Sequence, residues 1–233
     1  MMKFAPRSTD NTTLTGRNRG IGPGDSDDPF FHASLPAQLV MGAVFGALNV
    51  LVTQLVNLLH IPLFLDEFFN VAGAFFGWAG GITSVLVHRT LSIVLPAVAN
   101  PEQFSFVPID CLFGICDIPV VVLVRLMFRK DRHISMIKLL LCGVILAIII
   151  SILGGGIFTF LFTFCGYGEI SSVRYLTMLL TGSRIPLAPS AMLSRIPMNL
   201  VDKPLCVFLG YVIALLVRRI LNSFRAPAPG QKS

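Results

Sequence analysis

Charged residues are scarce in this chain of 233 residues, where they make up 13% of the composition. A soluble domain carries about 25%, so a soluble enzyme, a secreted disulfide scaffold and a disordered chain are all excluded. Hydrophobic residues make up 54%, and the mean hydropathy is +0.78. Two stretches, Ala33 to Leu65 and Leu139 to Gly168, contain no Asp, Glu, Lys or Arg. Uncharged apolar runs of roughly 18 residues or more are typical of membrane spans, so the sequence predicts an integral membrane protein.

Catalytic and metal-binding motifs are also missing. The sequence contains no H-E-x-x-H, no G-x-S-x-G and no P-loop, so we predict that the protein is not an enzyme and does not itself hydrolyse ATP. The number of cysteines is odd and they form no C-x-x-C pair, and we predict no bound metal and no cofactor. We interpret the cysteines as small buried apolar residues; they are Cys111, Cys116, Cys142, Cys165 and Cys206.

The apolar runs predict helices, because they do not alternate apolar and polar residues as the strands of a membrane barrel do. We predict an all-α membrane protein, a bundle of six transmembrane helices with both termini cytoplasmic. Residues 1–35 are expected to form a disordered cytoplasmic tail, 36–221 the membrane domain and 222–233 a second cytoplasmic tail. The expected helices cover 36–59, 66–78, 82–95, 109–128, 135–164 and 198–220, with the longest loop at 166–197.

Two glycine-rich segments are expected to interrupt the helices. Gly77 to Gly81 predicts a tight turn between the second and third helices, and Gly154 to Gly156 is expected to loosen the fifth helix. The second helix is short, and the sequence leaves open whether it spans the membrane or re-enters on one side.

Basic residues are distributed unequally between the two predicted sides of the membrane. Thirteen Lys and Arg residues lie in the N-terminal tail, around the loop after the fourth helix and at the C-terminus, whereas the opposite loops hold only Arg174, Arg184 and Arg195. Cytoplasmic segments carry such an excess, which predicts that both termini are cytoplasmic. The net charge of +6 therefore reports topology, and we predict no nucleic-acid partner.

Small residues recur every fourth position along the first helix, as Gly42-x-x-x-Gly46 and Ala43-x-x-x-Ala47. Such a stripe lets a second helix approach closely in lipid. Two interpretations stay open, packing within the chain and docking of a separate membrane subunit.

Several polar residues fall within or beside the apolar runs, where each is costly and therefore a functional candidate. Asp66 also suits a helix N-terminus, Arg89 is expected either to reach an interface or to pair with an acid, and the adjacent Asp202 and Lys203 are expected to meet partners on different helices. Most of these groups are expected towards the outer half, around an outward-facing pocket. The predicted substrate-binding residues are Asp66, Asn70, Asp117, Arg174, Asn199, Asp202 and Lys203.

The chain resembles the substrate-specific S components of energy-coupling factor (ECF) transporters, the micronutrient importers of prokaryotes. The resemblance covers about residues 36–221. It rests on six short helices, on the Ala43-x-x-x-Ala47 stripe, and on two segments, Pro62-Leu-Phe-Leu-Asp66 leading into Gly73–Gly81 and Ile196-Pro-Met-Asn-Leu-Val-Asp-Lys203.

The resemblance implies a multi-pass protein of the prokaryotic plasma membrane that captures a vitamin or similar small molecule from outside. It further implies docking of the first helix, with Ala43 and Ala47 matching the family's docking motif, onto a membrane T subunit that works with two cytoplasmic ATPases. The alternative is a ligand-sensing or signalling membrane domain without transport. Both signs of charge occur near the predicted pocket, so a zwitterion, an anion and a neutral ring fit the sequence equally.

Overall fold

The computed structural model describes residues 33–59, 65–99, 111–129, 134–165 and 171–225. Within these ranges the chain is helical and contains no strand, as predicted for an all-α protein. The predicted N-terminal tail up to residue 32 and residues 226–233 lie outside the described residues. The helices are α1 (Leu35–Leu58), α2 (Phe68–Phe76), α3 (Trp78–Ala99), α4 (Asp117–Phe128), α5 (Met136–Cys165), α6 (Ser171–Gly182) and α7 (Leu187–Arg225), with a 3₁₀ turn at Gly114–Cys116 before α4.

In the described part of the chain, five helical segments are long and apolar enough to cross a membrane, which supports a multi-pass membrane protein. These segments are Leu35–Val56, Trp78–Pro96, Cys111–Phe128, Met136–Phe164 and Leu187–Ser223. By contrast, α2 has nine residues and a length of ~14 Å, less than half of the ~30 Å hydrocarbon core. The second predicted helix is therefore too short to span the bilayer by itself.

Helices α1 and α3 run in the same direction and pack closely. Gly42 lies against Gly80 and Gly46 lies against Ser84, so the contact advances along both helices together. A Cβ atom at Gly42 would lie 2.5 Å from the carbonyl oxygen of Gly80. Because these glycines have no side chains, the two helix backbones can touch. Small residues allow the same close approach in other membrane bundles.

Helix α2 runs antiparallel to α1 and α3, the helices before and after it in the chain. Along α3, Asn70 pairs with Ser84, whereas Gly73, further along α2, packs against the earlier residue Gly80. The segment before α3 therefore carries the chain back towards the level at which α1 begins.

The turn between α2 and α3 is a single residue, Gly77. Its φ of +148° lies in a region that glycine enters without steric cost, and a Cβ there would collide with the side chain of Gln38. The tight turn predicted over Gly77–Gly81 is therefore shorter than expected, and α3 begins at Trp78 rather than Ile82.

Helix α4 returns antiparallel to α3. Arg89, in the middle of α3, reaches Asp117 at the start of α4, while Arg125 near the end of α4 lies over the ring of Trp78 at the start of α3. Helices α1 and α3 are thus parallel to each other, and α4 is antiparallel to both.

The glycines of α5 receive α7, and the predicted loosening of the helix at Gly154–Gly156 is wrong. Helix α5 is continuous over Met136–Cys165. A Cβ at Gly155 would lie 2.7 Å from the Cα atom of Met192, and one at Gly143 would collide with the Cα atom of Pro204. The glycines therefore make room for an antiparallel neighbour rather than a bend.

The long loop predicted over residues 166–197 is also wrong, because most of it is helical. It contains α6 and the first turns of α7, which begins at Leu187. Pro189 lies in the first turn of α7, where a missing backbone N–H costs nothing, and the helix continues through Pro197 and Pro204. Its end at Arg225 lies beyond the predicted domain boundary at residue 221.

The apolar core lies where α2 is enclosed by its neighbours. Val71, Ala72 and Ala74 of α2 are completely buried, and Phe75 packs against Phe128 of α4 and Tyr211 of α7. Outward-facing positions of the long helices carry exposed Leu, Val and Ile, as expected of a surface in contact with lipid.

Replacing Gly46 with Leu is expected to separate α1 from α3. A Cβ at this position would lie 2.5 Å from the carbonyl oxygen of Ser84 and 2.8 Å from Cβ of Val87, and neither group can move without its helix. We expect a clear fall in the thermal unfolding midpoint, measured by size-exclusion chromatography after heating in detergent. Val44→Leu adds bulk on the exposed side of α1 and should leave the midpoint unchanged; equal midpoints for both variants would contradict this packing.

Candidate functional site

Lys203 lies at the centre of a buried ionic cluster that joins α2 to α7. Its Nζ atom is 2.9 Å from Oε2 of Glu67 and 2.9 Å from Oδ2 of Asp202, with Oδ1 of Asp66 at 3.9 Å. The side chains of Lys203, Glu67 and Asp202 are 3%, 4% and 0% exposed. The cluster brings together three of the predicted site residues, Asp66, Asp202 and Lys203.

Two details of the cluster differ from the sequence interpretation. Asp202 and Lys203 were expected to meet partners on different helices, but they pair with each other, and Lys203 also pairs with Glu67 directly before α2. Glu67 was missing from the predicted site, although it makes one of the two shortest contacts to Lys203. Glu67 is also the residue before the first turn of α2, yet its side chain makes no capping hydrogen bond.

A second buried ion pair joins α3 to α4. The guanidinium of Arg89 donates to both carboxylate oxygens of Asp117, over 2.5 Å from Nε and 2.7 Å from a terminal nitrogen. Asp117 is 0% exposed and Arg89 is 23% exposed. Of the two expectations for Arg89, pairing with an acid is confirmed. Both carboxylate oxygens of the predicted site residue Asp117 are engaged in this pair.

Amide side chains connect the two ion pairs around His88. Asn49 and Asn70 point their amide nitrogens at Nδ1 of His88, at 3.1 and 3.4 Å. Two amide side chains therefore converge on one ring nitrogen of His88. Ser84 donates to Asn70 over 2.7 Å, and Asn49 also donates to the backbone carbonyl of Asp66.

Asn199 provides a similar link between α7 and α5. Its amide donates to the hydroxyl of Ser151 over 2.9 Å, and both residues are buried. Ser151 in turn donates to the carbonyl oxygen of Ala147 over 2.6 Å. This predicted site residue is therefore also engaged within the bundle.

The polar network lies near half height in the bundle. Ser151 stands midway along α5, ~22 Å from either end, and His88 stands midway along α3. The sequence predicted these groups nearer the outer mouth; the difference arises because α7 begins eleven residues earlier than expected, at Leu187 rather than Met198. Charges at this depth carry a large insertion cost and are rare without a function.

Arg174 lies apart from this network, at a cavity of about 280 Å³. The cavity is formed by α5, α6 and the start of α7, and its walls are mostly apolar and aromatic. Of the seven predicted substrate-binding residues, Arg174 is the one that lines it. The residues around the cavity include Phe158, Phe162, Arg174, Thr177, Met178 and Leu187.

Arg195 links the cavity wall to the interior of the bundle. It is 7% exposed, and its guanidinium carbon lies 6.0 Å from the ring centre of Phe158, a residue that also faces the cavity. On its other side it lies 5.7 Å from the ring of Phe113. The sequence placed Arg195 in an outer loop, and no sequence signal indicated its burial because the helical start of α7 was missed.

The predicted docking stripe is divided between two environments. Gly42 and Gly46 are covered by α3, so these two residues serve packing within the chain. Ala43 and Ala47 are half-buried and lie beside exposed Val40 and Val44 on α1. Docking through the alanines stays a prediction.

The cysteines are partly as predicted. Cys116, Cys142 and Cys206 are buried, whereas Cys111 is exposed. In the part of the chain that the structure describes, no group of three or more His, Cys, Asp and Glu residues is arranged to hold a metal ion.

Comparisons with protein-family models, with curated proteins and with solved structures return no match, so the function has to be inferred from the residues themselves.

Proposed function

We propose that this protein is the substrate-binding membrane subunit of an ECF-type importer, and that the cavity between α5, α6 and α7 holds the solute. The observation that carries the proposal is this cavity of about 280 Å³, with apolar walls and one cationic side chain. Small-molecule sites are usually concave and apolar, with few polar groups that fix orientation. The volume is near the lower end for such sites and suits a vitamin-sized or smaller molecule.

Part of the polar network holds helices that line the cavity. Asn199 ties α7 to α5, and Lys203 ties α7 to the start of α2. Binding sites are most precise on rigid elements, so these contacts support two walls of the cavity. Arg89 ties α3 to α4, two helices that do not line it.

We further propose six passes through the plasma membrane with both termini in the cytoplasm. The parallel arrangement of α1 and α3 supports this topology, because the chain has to return between them, through the segment that ends in α2. Basic residues lie at the end of α4, at the start of α5 and near the end of α7, and this placement supports the orientation. They include Arg125, Arg129, Lys138, Arg218 and Arg219.

The importer proposal adds partners, a membrane T subunit and cytoplasmic ATPases. Ala43 and Ala47 are the residues through which α1 would dock, since they border an exposed apolar strip that contains Val40, Val44 and Leu51. The chain has no P-loop, so energy for uptake has to come from the ATPases.

Affinity purification from the native membrane tests the proposal. We expect a polytopic T subunit and two P-loop ATPases to co-purify with the protein, and we expect mass spectrometry to find a small molecule released on denaturation. Ala43→Leu with Ala47→Leu should lose the partners yet keep the released molecule, because the cavity lies on other helices. Val94→Leu with Val122→Leu enlarges exposed positions on α3 and α4, outside the proposed docking strip, and is the matched control. Purification without any ATPase would contradict the importer proposal, and absence of any released molecule would contradict the binding role.

A further inference from the structure

Arg174 is the one charged side chain among the described residues that line the cavity. The hydroxyl of Thr181 donates to the carbonyl oxygen of Thr177 over 2.8 Å, and the hydroxyl of Thr177 donates to the carbonyl oxygen of Val173 over 2.8 Å. Both hydroxyl protons are therefore already used within α6, and Arg174 supplies the charged donors at the cavity.

Among the described residues, no carboxylate competes with a ligand for Arg174. It is exposed, and none of the described carboxylates lies within ion-pair distance of it. A guanidinium binds carboxylate and phosphate groups through paired N–H donors. A ligand anion placed at this edge of the cavity would gain both charge and directional hydrogen bonds.

Arg195 adds positive potential from behind the cavity wall. Its guanidinium carbon lies 6.0 Å from the ring centre of Phe158, which lines the cavity, and Arg195 is buried. Two cationic groups around one apolar space disfavour a positively charged ligand by like-charge repulsion. A neutral ring would fill the apolar walls but would leave the Arg174 donors unused.

We infer that the cavity between α5, α6 and α7 binds a small organic anion, with its apolar body between Phe158, Phe162 and Met178 and its anionic group at Arg174. The inference rests on the proposed function and names its substrate class. The space of about 280 Å³ is too small to enclose a phospholipid with two acyl chains, and the experiment below distinguishes a water-soluble anion from a lipid headgroup.

Three probes of equal size and different charge test this class. They are 2-naphthoate, 2-naphthylmethanol and 2-naphthylmethylamine, whose dissociation constants are measured by calorimetry on the full chain in phosphatidylcholine nanodiscs. We expect the anion to bind ~10-fold or more tightly than the alcohol, because a charge-assisted hydrogen bond is worth more than a neutral one, and the amine to bind most weakly. Arg174→Gln should remove the preference for the anion.

Two further variants separate the cavity from the general surface. Arg184→Gln removes an exposed arginine of the turn after α6 that does not line the cavity, and it should preserve the preference. Gly182→Leu adds bulk where a new Cβ meets no atom within 4 Å, so it should fill the cavity and abolish binding of every probe while the unfolding midpoint is retained.

Several outcomes of the probe experiments would overturn the inference. They are equal or tighter binding of the alcohol or amine, a preference for the anion that Arg174→Gln retains, loss of the preference in Arg184→Gln, probe binding that Gly182→Leu leaves intact, and displacement of naphthoate by phosphatidylglycerol in the nanodisc, which would assign the site to a lipid headgroup. If a neutral or cationic molecule is instead released from the native protein, the class is wrong while the binding role stands. The loss of ATPase partners alone would contradict only the importer.

Discussion

Replacing Lys203 with Met should lower the free energy of unfolding by ~3 kcal/mol or more, the usual cost of breaking a buried ion pair from one side. The two carboxylates 2.9 Å from Nζ, those of Glu67 and Asp202, are 4% and 0% exposed. Without the ammonium they repel each other and lose the ion-pair partner that both of them contact. Met preserves the length and the apolar stem of lysine, so the loss reports charge rather than packing. Unfolding by a denaturing detergent, followed by circular dichroism, measures the change.

The cost should largely disappear when the acids are neutralised together with the lysine. The triple variant Lys203→Met, Glu67→Gln and Asp202→Asn removes all three formal charges from the contact, and we expect its stability to approach that of the wild type. Lys138→Met is the matched control, since Lys138 is exposed on α5 and surface changes usually stay within ~0.5 kcal/mol. Equal stability of Lys203→Met and Lys138→Met would show that the cluster does not hold α7 to α2.

Variants of the buried ion pairs and variants of the cavity are expected to change different measured properties. Lys203 and Arg89 hold helices together, and their loss should change stability first. Arg174 lines the cavity and is exposed, so its loss should change ligand binding with little effect on stability. A binding defect at normal stability therefore points to the cavity, and a defect that follows the unfolding midpoint points to the buried ion pairs.

Local sequence patterns predicted the membrane helices but not the contacts between them. Hydropathy runs are properties of single segments, and they located α1, α3, α4 and α5 within a few residues of their observed bounds at most ends. Helix α6 was missed because its twelve residues carry no long apolar run. The start of α7 was missed because this segment contains Pro189 and Pro197, and proline is common in loops. The first turn of a helix accepts proline as readily.

For the polar residues, the sequence indicated which side chains would be buried but not which partners they would meet. Asp66, Asn70, Asp117, Asn199, Asp202 and Lys203 were all selected because burial of such groups is costly, and the structure buries or half-buries each of them. Their partners depend on which helices are neighbours. The pairing of Lys203 with Glu67 requires that α2 and α7 run side by side, a tertiary fact that spacing along the chain does not contain.

The Arg89–Asp117 pair should respond asymmetrically to the loss of each partner. Arg89→Met leaves the carboxylate of Asp117, which is 0% exposed, without its two hydrogen bonds, and we expect a loss of ~3 to 5 kcal/mol in the free energy of unfolding. Asp117→Leu leaves Arg89, whose side chain is 23% exposed and long enough to turn its guanidinium towards a polar surface. The second loss should therefore be smaller than the first.

The double variant Arg89→Met with Asp117→Leu decides whether charge is the cause. Replacing a buried ion pair by apolar residues of similar size is often neutral or stabilising, so the double variant should be more stable than Arg89→Met alone. The same detergent titration measures all three proteins, and a double-mutant cycle gives the coupling between the two residues. Additive losses would mean that the residues act independently and that α3 and α4 are held by apolar packing such as that of Gly81 against Val121. A large coupling would instead assign the alignment of these helices to the ion pair.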